Sequence, residues 1–150
     1  MMKKRQFLLF CLLFLLLKTN LKGQMALYEW RDHLPYHKGL SIAYDGKNVY
    51  CATPYSIFYY NPDYNSLERL NKVNGLSDAN IIDIAYSSEY QTLVVAYLNT
   101  NLDLIKNGNV INMGDIKRKP ILGNKTINKV RLYDKFAYLS CGFGIVVVDM

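Results

Sequence analysis

Lys117, Arg118 and Lys119 form the densest run of charge downstream of residue 23. Three adjacent cations on a loop suit an anionic glycan or an acidic partner, and Arg grips such anions with two hydrogen bonds. They are the candidate partner or glycan contact. The tyrosines of YSIFYY, Tyr55–Tyr60, carry flat rings that can stack on sugars, although strand residues packed between sheets are the plainer reading. Other patterns carry no chemistry. His33 and His37 have the H-x3-H spacing of two zinc ligands on a helix, but Pro35 between them breaks that helix. CGFG, Cys141–Gly144, contains a G-x-G that runs into a strand rather than a phosphate-binding helix. GNKT, Gly123–Thr126, lacks the spacing of a phosphate loop, and there is no G-x-S-x-G elbow. Asp83 and Asp103 are single strand acids with nothing to mark a catalytic pair. The reading is therefore non-enzymatic, with no catalytic set, metal site or cofactor.

These residues sit downstream of an export signal. MMKKR is a positive head, Phe7–Leu17 is an apolar run of 11 residues, and a polar tail ends at Gly23. That is the anatomy of a signal peptide over residues 1–23, cleaved to leave Gln24 first. A spanning helix needs about 20 apolar residues. Cys11 lies between Phe10 and Leu12, which is no lipidation site. The formal charge of +6 comes from 18 basic and 12 acidic residues. Five of the basic residues lie in the leader, so the remainder carries 18 − 5 = 13 against 12, or +1. Nucleic acid is thus no expected partner. Cys51 and Cys141 remain; two cysteines are not a disulfide framework, and buried thiols are expected.

Positioning the basic run and the tyrosines falls to a repeat. Tyr50, Val94 and Tyr138 recur 44 residues apart (94 − 50 = 138 − 94 = 44), in VYCAT, LVVAY and AYLSC. Each is preceded by an apolar strand and followed by another. Strands are expected near 41–44, 49–53 and 56–61, with a weaker one at 67–70. The next unit has 81–86, 92–97, 102–106 and 110–112, and the third has 129–133, 136–141 and 144–149. A period in the low forties with short strands marks a β-propeller blade rather than a β-sandwich. The fold class is all-β: an incomplete propeller over residues 24–150, about three four-stranded blades of an expected seven. NKVNGLSDAN, Asn71–Asn80, is the polar return from the outer strand of one blade to the inner strand of the next. Gly75 can take positive φ there, and Ser77 and Asp78 can bond their own backbone. IIDIA, LVVA and IVVV are read as strands covered on both faces. Open blade edges and an apolar finish at GIVVVDM suggest a fragment of a longer protein. Ala26–Tyr36 is a candidate ring-closing strand.

NGLSDANIIDIAYSSEYQTLVVAY resembles the repeat of two-component-regulator propellers: Asn74, Gly75, Leu76, Ser77, Asp78, Ile81 and Ile84 match. The usual Leu-Trp-x-Gly-Thr is replaced by Leu93–Tyr97. WRDHLPY, YCAT, LERLNKVNGLSD, DIKRK, KTIN and AYLSCGFGIVVVD together look more like the N-terminal propeller of the PorZ family of type IX secretion components. That resemblance implies a cell-surface role in an attachment complex of a Gram-negative bacterium. Its implied partners are a sortase-like protein and other complex members, with an anionic polysaccharide bound at the outer-membrane surface. The rival is the carbohydrate-sensing ectodomain of a two-component regulator.

Overall fold

The computed structural model describes residues 34–150. The leader, its cleavage point, His33 and most of the candidate closing strand at Ala26–Tyr36 lie outside the described residues. Leu34–Gly39 run without regular secondary structure.

Three antiparallel sheets follow, each ordered as the chain runs. The first comprises β1 (Ser41–Tyr44), β2 (Val49–Ala52), β3 (Ser56–Asn61) and β4 (Ser66–Asn71). The second comprises β5 (Ile81–Ser87), β6 (Thr92–Tyr97), β7 (Leu102–Lys106) and β8 (Asn109–Met113). The third comprises β9 (Ile127–Tyr133), β10 (Phe136–Cys141) and β11 (Gly144–Asp149). Each of the eleven strands expected between residues 41 and 149 forms, and the two fourth strands extend a little beyond their expected limits. Local chemistry explains the turns. Asp45 in DGKN accepts the amides of Lys47 and Asn48, closing the β1–β2 hairpin. At the β10–β11 turn, a Cβ on Gly142 would meet the Asn124 carbonyl at 2.6 Å, so only glycine fits.

The inner strands β1, β5 and β9 lie side by side, and the sheets stack face to face. Tyr50, Val94 and Tyr138 occupy matching places on β2, β6 and β10, opposite Ala43, Ala85 and Arg131. The 44-residue offset is thus a real structural register. The second sheet is sandwiched. Leu93, Val95 and Tyr97 pack with Ala43, Ala52 and Ile57 of the first sheet. Val94, Ala96, Leu102 and Leu104 pack with Val130, Ala137, Leu139 and Val148 of the third. Alternate residues of β6 serve opposite cores, so all six are buried. Each such aliphatic side chain contributes about 1.5–3 kcal/mol by leaving water.

Two sequence expectations are corrected, and a third is met on one face. Among the described residues, IVVV is covered on one side: Val148 is buried, and Ile145 and Val147 are 74% and 51% exposed. Strand periodicity turns alternate residues away from the second sheet, and no described element covers them. Cys51 is only half-buried, because its side of β2 also faces away from the second sheet; Cys141 is buried and both thiols are free. The basic run is not wholly loop: Asp115–Arg118 forms one helical turn, α1.

Candidate functional site

The described acids divide into those that hold sheets together and those that face solvent. β-bulges at Ile82 and Asn128 re-aim the residues that follow them, Asp83 and Lys129. Asp83 accepts from Ser41 Oγ at 2.7 Å, Lys129 Nζ at 2.9 Å and the Val130 amide at 2.8 Å. One carboxylate thereby ties β1, β5 and β9. Asp103 accepts from Tyr97 Oη at 2.6 Å, the Ser77 amide at 2.9 Å and Asn112 Nδ2 at 2.8 Å. It anchors the NGLSD return to the second sheet. Ser77 uses its amide for this, rather than bonding its own backbone. Burial, then the bond to Asp103, pushes the Tyr97 hydroxyl well above its usual range. Both acids are structural cross-links.

The return itself is a closed hydrogen-bonded unit. The Leu76 amide donates to the Asn71 carbonyl at 2.9 Å, and the Asn71 amide to Asn74 Oδ1 at 2.6 Å. Gly75 has φ 157°, and a Cβ there would meet Leu70 Cδ1 at 2.9 Å.

The basic run lies on the second return, and its three cations are not equivalent. Lys117 Nζ bonds Asp78 Oδ2 at 2.9 Å, linking the two returns. Asp78 also accepts from Asn99 Nδ2 and from the Ala79 amide. Burial raises the Asp78 pKa, but the bonds from Asn99, Lys117 and Ala79 outweigh it and hold the carboxyl at about 2. Arg118 pairs with Asp115 at 3.1 Å, three residues back on α1. Lys119 is exposed, and its ammonium has no partner among the described residues. Lys125 of GNKT reaches back and donates to the carbonyls of Ile116, Lys117 and Lys119 at 3.3, 2.9 and 3.1 Å. It satisfies the open carbonyl end of α1, as a cation at a helix C-terminus does. The basic turn is therefore pre-ordered, with two of its three cations already paired, with Asp78 and Asp115.

A second concavity opens between the first and second sheets. The cleft is about 370 Å³ and is walled by Tyr50, Tyr59, Tyr86, Asn48, Gln91 and Asn107, among others. Tyr50 stacks on Tyr86 (6.3 Å, 13°) and leans on Tyr59 (5.1 Å, 37°). Asp45 orders the wall, accepting Tyr50 Oη at 2.7 Å and Asn48 Nδ2 at 2.8 Å. Burial opposes the charge on Asp45, but the four bonds that it accepts from Asn48, Tyr50 and Lys47 hold its carboxyl below the usual range. Of the YSIFYY tyrosines, Tyr59 faces this cleft, while Tyr55 and Tyr60 are exposed elsewhere. From sequence, Tyr50 marked the repeat, and none of Tyr50, Tyr86 and Asn48 was read as a site residue. Their signal was an Asx turn, D-x-x-N, with a tyrosine two residues beyond it.

No group of three or more His, Cys, Asp and Glu side chains converges among the described residues, and none of their helices is long and apolar enough to cross a membrane. The family model for the type IX secretion (TSS9) PorZ N-terminal β-propeller domain matches residues 49–150. The chain belongs to that family. Among solved structures, PorZ of Porphyromonas gingivalis, an essential bacterial surface component of the type IX secretion system, superposes with a TM-score of 0.72 at 29% identity. The match covers 77% of this chain and 16% of that one, so the chain spans about a sixth of the PorZ length. The extracellular domain of the putative hybrid two-component system BT4673 from B. thetaiotaomicron superposes at 0.53 with 14% identity, over 67% of this chain and 14% of its own. That likeness shows the fold alone. No curated protein matches in sequence. The sheets are blades of a PorZ-type propeller.

Proposed function

We propose that the chain is part of a non-enzymatic binding and scaffolding component at the bacterial cell surface. It serves the type IX attachment complex and helps to link secreted cargo to anionic lipopolysaccharide. The observation that carries this reading is the family match over residues 49–150, the same span that holds the basic turn. The physical means is multipoint contact through loops held rigid by stacked sheets. The basic turn suits the task. Lys119 is unanswered, Arg118 is paired only at the surface, and Lys125 keeps the turn folded before a partner arrives. Surface pairs such as Arg118–Asp115 are worth about 0–1 kcal/mol, so a multivalent anion can displace them. Sortase-like and other attachment proteins are the proposed protein partners. The two-component sensor reading gains nothing specific, since BT4673 shares only the fold.

The test replaces Lys117, Arg118 and Lys119 together with Ala in the full-length protein. Binding to purified anionic lipopolysaccharide should weaken about ten-fold in low salt, with a shallower salt dependence. Unchanged affinity and unchanged salt slope would remove the basic turn from the contact.

A further inference from the structure

The Tyr50–Tyr59–Tyr86 cleft has the features of a small-molecule site and is distinct from the basic turn. Its volume of about 370 Å³ falls within the usual range of roughly 300–1,000 Å³. Three aromatic rings line it, and the hydroxyls of Tyr59 and Tyr86 have no hydrogen-bond partner among the described residues. Amide side chains at Asn48, Asn74, Gln91 and Asn107 ring it. Asn48 Oδ1 is buried without a partner among the described residues, although Nδ2 of the same amide is fixed on Asp45. A buried acceptor left unpaired is costly, by about 1–3 kcal/mol, and marks a place where a donor is missing.

The charge of the wall limits the ligand. Asp45 is the one ionisable acid or base there besides the tyrosines, and its oxygens already accept four hydrogen bonds. It has little capacity left for a cation, and among the described residues no Lys or Arg lines the wall to greet an anion. Flat aromatic faces with amides and hydroxyls at their edges match a ring that has C–H bonds on its faces and hydroxyls around its rim. A peptide laid along a sheet edge would need free strand edges instead, and this wall is built of side chains.

We propose that the cleft between the first two sheets binds an uncharged sugar unit, which packs on Tyr59 and Tyr86 and hydrogen-bonds through their hydroxyls and the surrounding amides. The site goes beyond the lipopolysaccharide reading above and uses none of the basic-turn residues.

The test is a saturation-transfer NMR titration of the full-length protein with the methyl glycosides of glucose, galactose, mannose and N-acetylglucosamine. Methyl glucuronide and the tetrapeptide acetyl-Ala-Gly-Ser-Ala-amide serve as competing probes. At least one neutral glycoside should bind saturably in the millimolar range, more tightly than the glucuronide. Tyr59→Ala should weaken it about ten-fold. The double variant Tyr59→Phe/Tyr86→Phe keeps the rings, so folding is retained, and should weaken binding about three- to five-fold. No saturable transfer from any of the four glycosides would overturn the proposal. So would binding unaffected by the double variant, tighter binding of the glucuronide, or cleft signals from the peptide alone. A negative titration leaves lipopolysaccharide binding through the basic turn standing, and loss of that binding leaves the cleft standing.

Discussion

The second and third sheets are built from nearly the same kind of strand and end in opposite situations. LVVA in β6 and IVVV in β11 are both unbroken aliphatic runs. All of β6 is buried, because sheets lie on both of its faces. β11 buries Val148 against the second sheet, and no described element lies over Ile145 and Val147. An apolar run therefore reports what a strand is able to bury, and its neighbours decide how much of it is buried. The first sheet repeats the lesson from the other side, with Ile42 and Tyr44 exposed on its uncovered face and Ala43 buried between them.

The sharpest way to break this comparison is a charge on each strand. Val95→Asp places an unpaired carboxylate between two sheets and should cost at least about 4 kcal/mol, enough to abolish a cooperative urea transition of the 150-residue chain. In the same 150-residue chain, where no described element lies over it, Val147→Asp should change stability by no more than about 0.5 kcal/mol and should reduce binding of an apolar dye. Equal effects would mean that the two strands are covered alike.

A smaller effect tests the link between the sheets. Asp83→Ala leaves the Val130 amide and Ser41 hydroxyl without their acceptor and should cost about 3 kcal/mol, with hydrogen-exchange protection lost first at Val130. Lys129→Met removes one half-exposed donor and should cost about 1 kcal/mol. If Val130 stays protected without the Asp83 carboxylate, the second and third sheets are held by apolar packing alone.

The smallest effect concerns the returns that precede these two sheets, which Lys117 and Asp78 join. Asp78 titrates at about 2 in the folded chain against an ordinary 3.8. A depressed carboxyl contributes stability that is complete above the ordinary value and fades as pH falls from about 4 through about 2. Asp78→Asn should therefore lower stability at neutral pH by about 1 kcal/mol and flatten the acid limb of a stability–pH profile, so that variant and parent converge near pH 2. An unaltered acid limb would show that the two returns are not coupled through this pair.

The strand positions were legible because strand formers alternate here with Gly, Asn and Asp turns, a signal carried by neighbouring residues. The 44-residue register was legible for the same reason, since each unit repeats the local pattern. Asp83 was visible only as a lone acid. What it does depends on a bulge in its own strand and on donors from two others, 42 and 46 residues away. The basic run was found, but not its partial neutralisation, because Asp78 lies 39 residues upstream of Lys117. The tyrosine cleft was half seen: Tyr59 lay within a marked stretch, while Tyr50 and Tyr86 belong to different sheets and meet only when these pack.

By itself, then, the amino-acid sequence determined the number and limits of the strands, the polar returns between them and the family to which they belong. Backbone propensity, turn chemistry and period are short-range properties. Tertiary structure alone decided which aliphatic faces are dry, which acids are cross-links and where rings converge into a cleft. Those outcomes follow from contacts between residues some forty positions apart, set by the stacking of one sheet on the next.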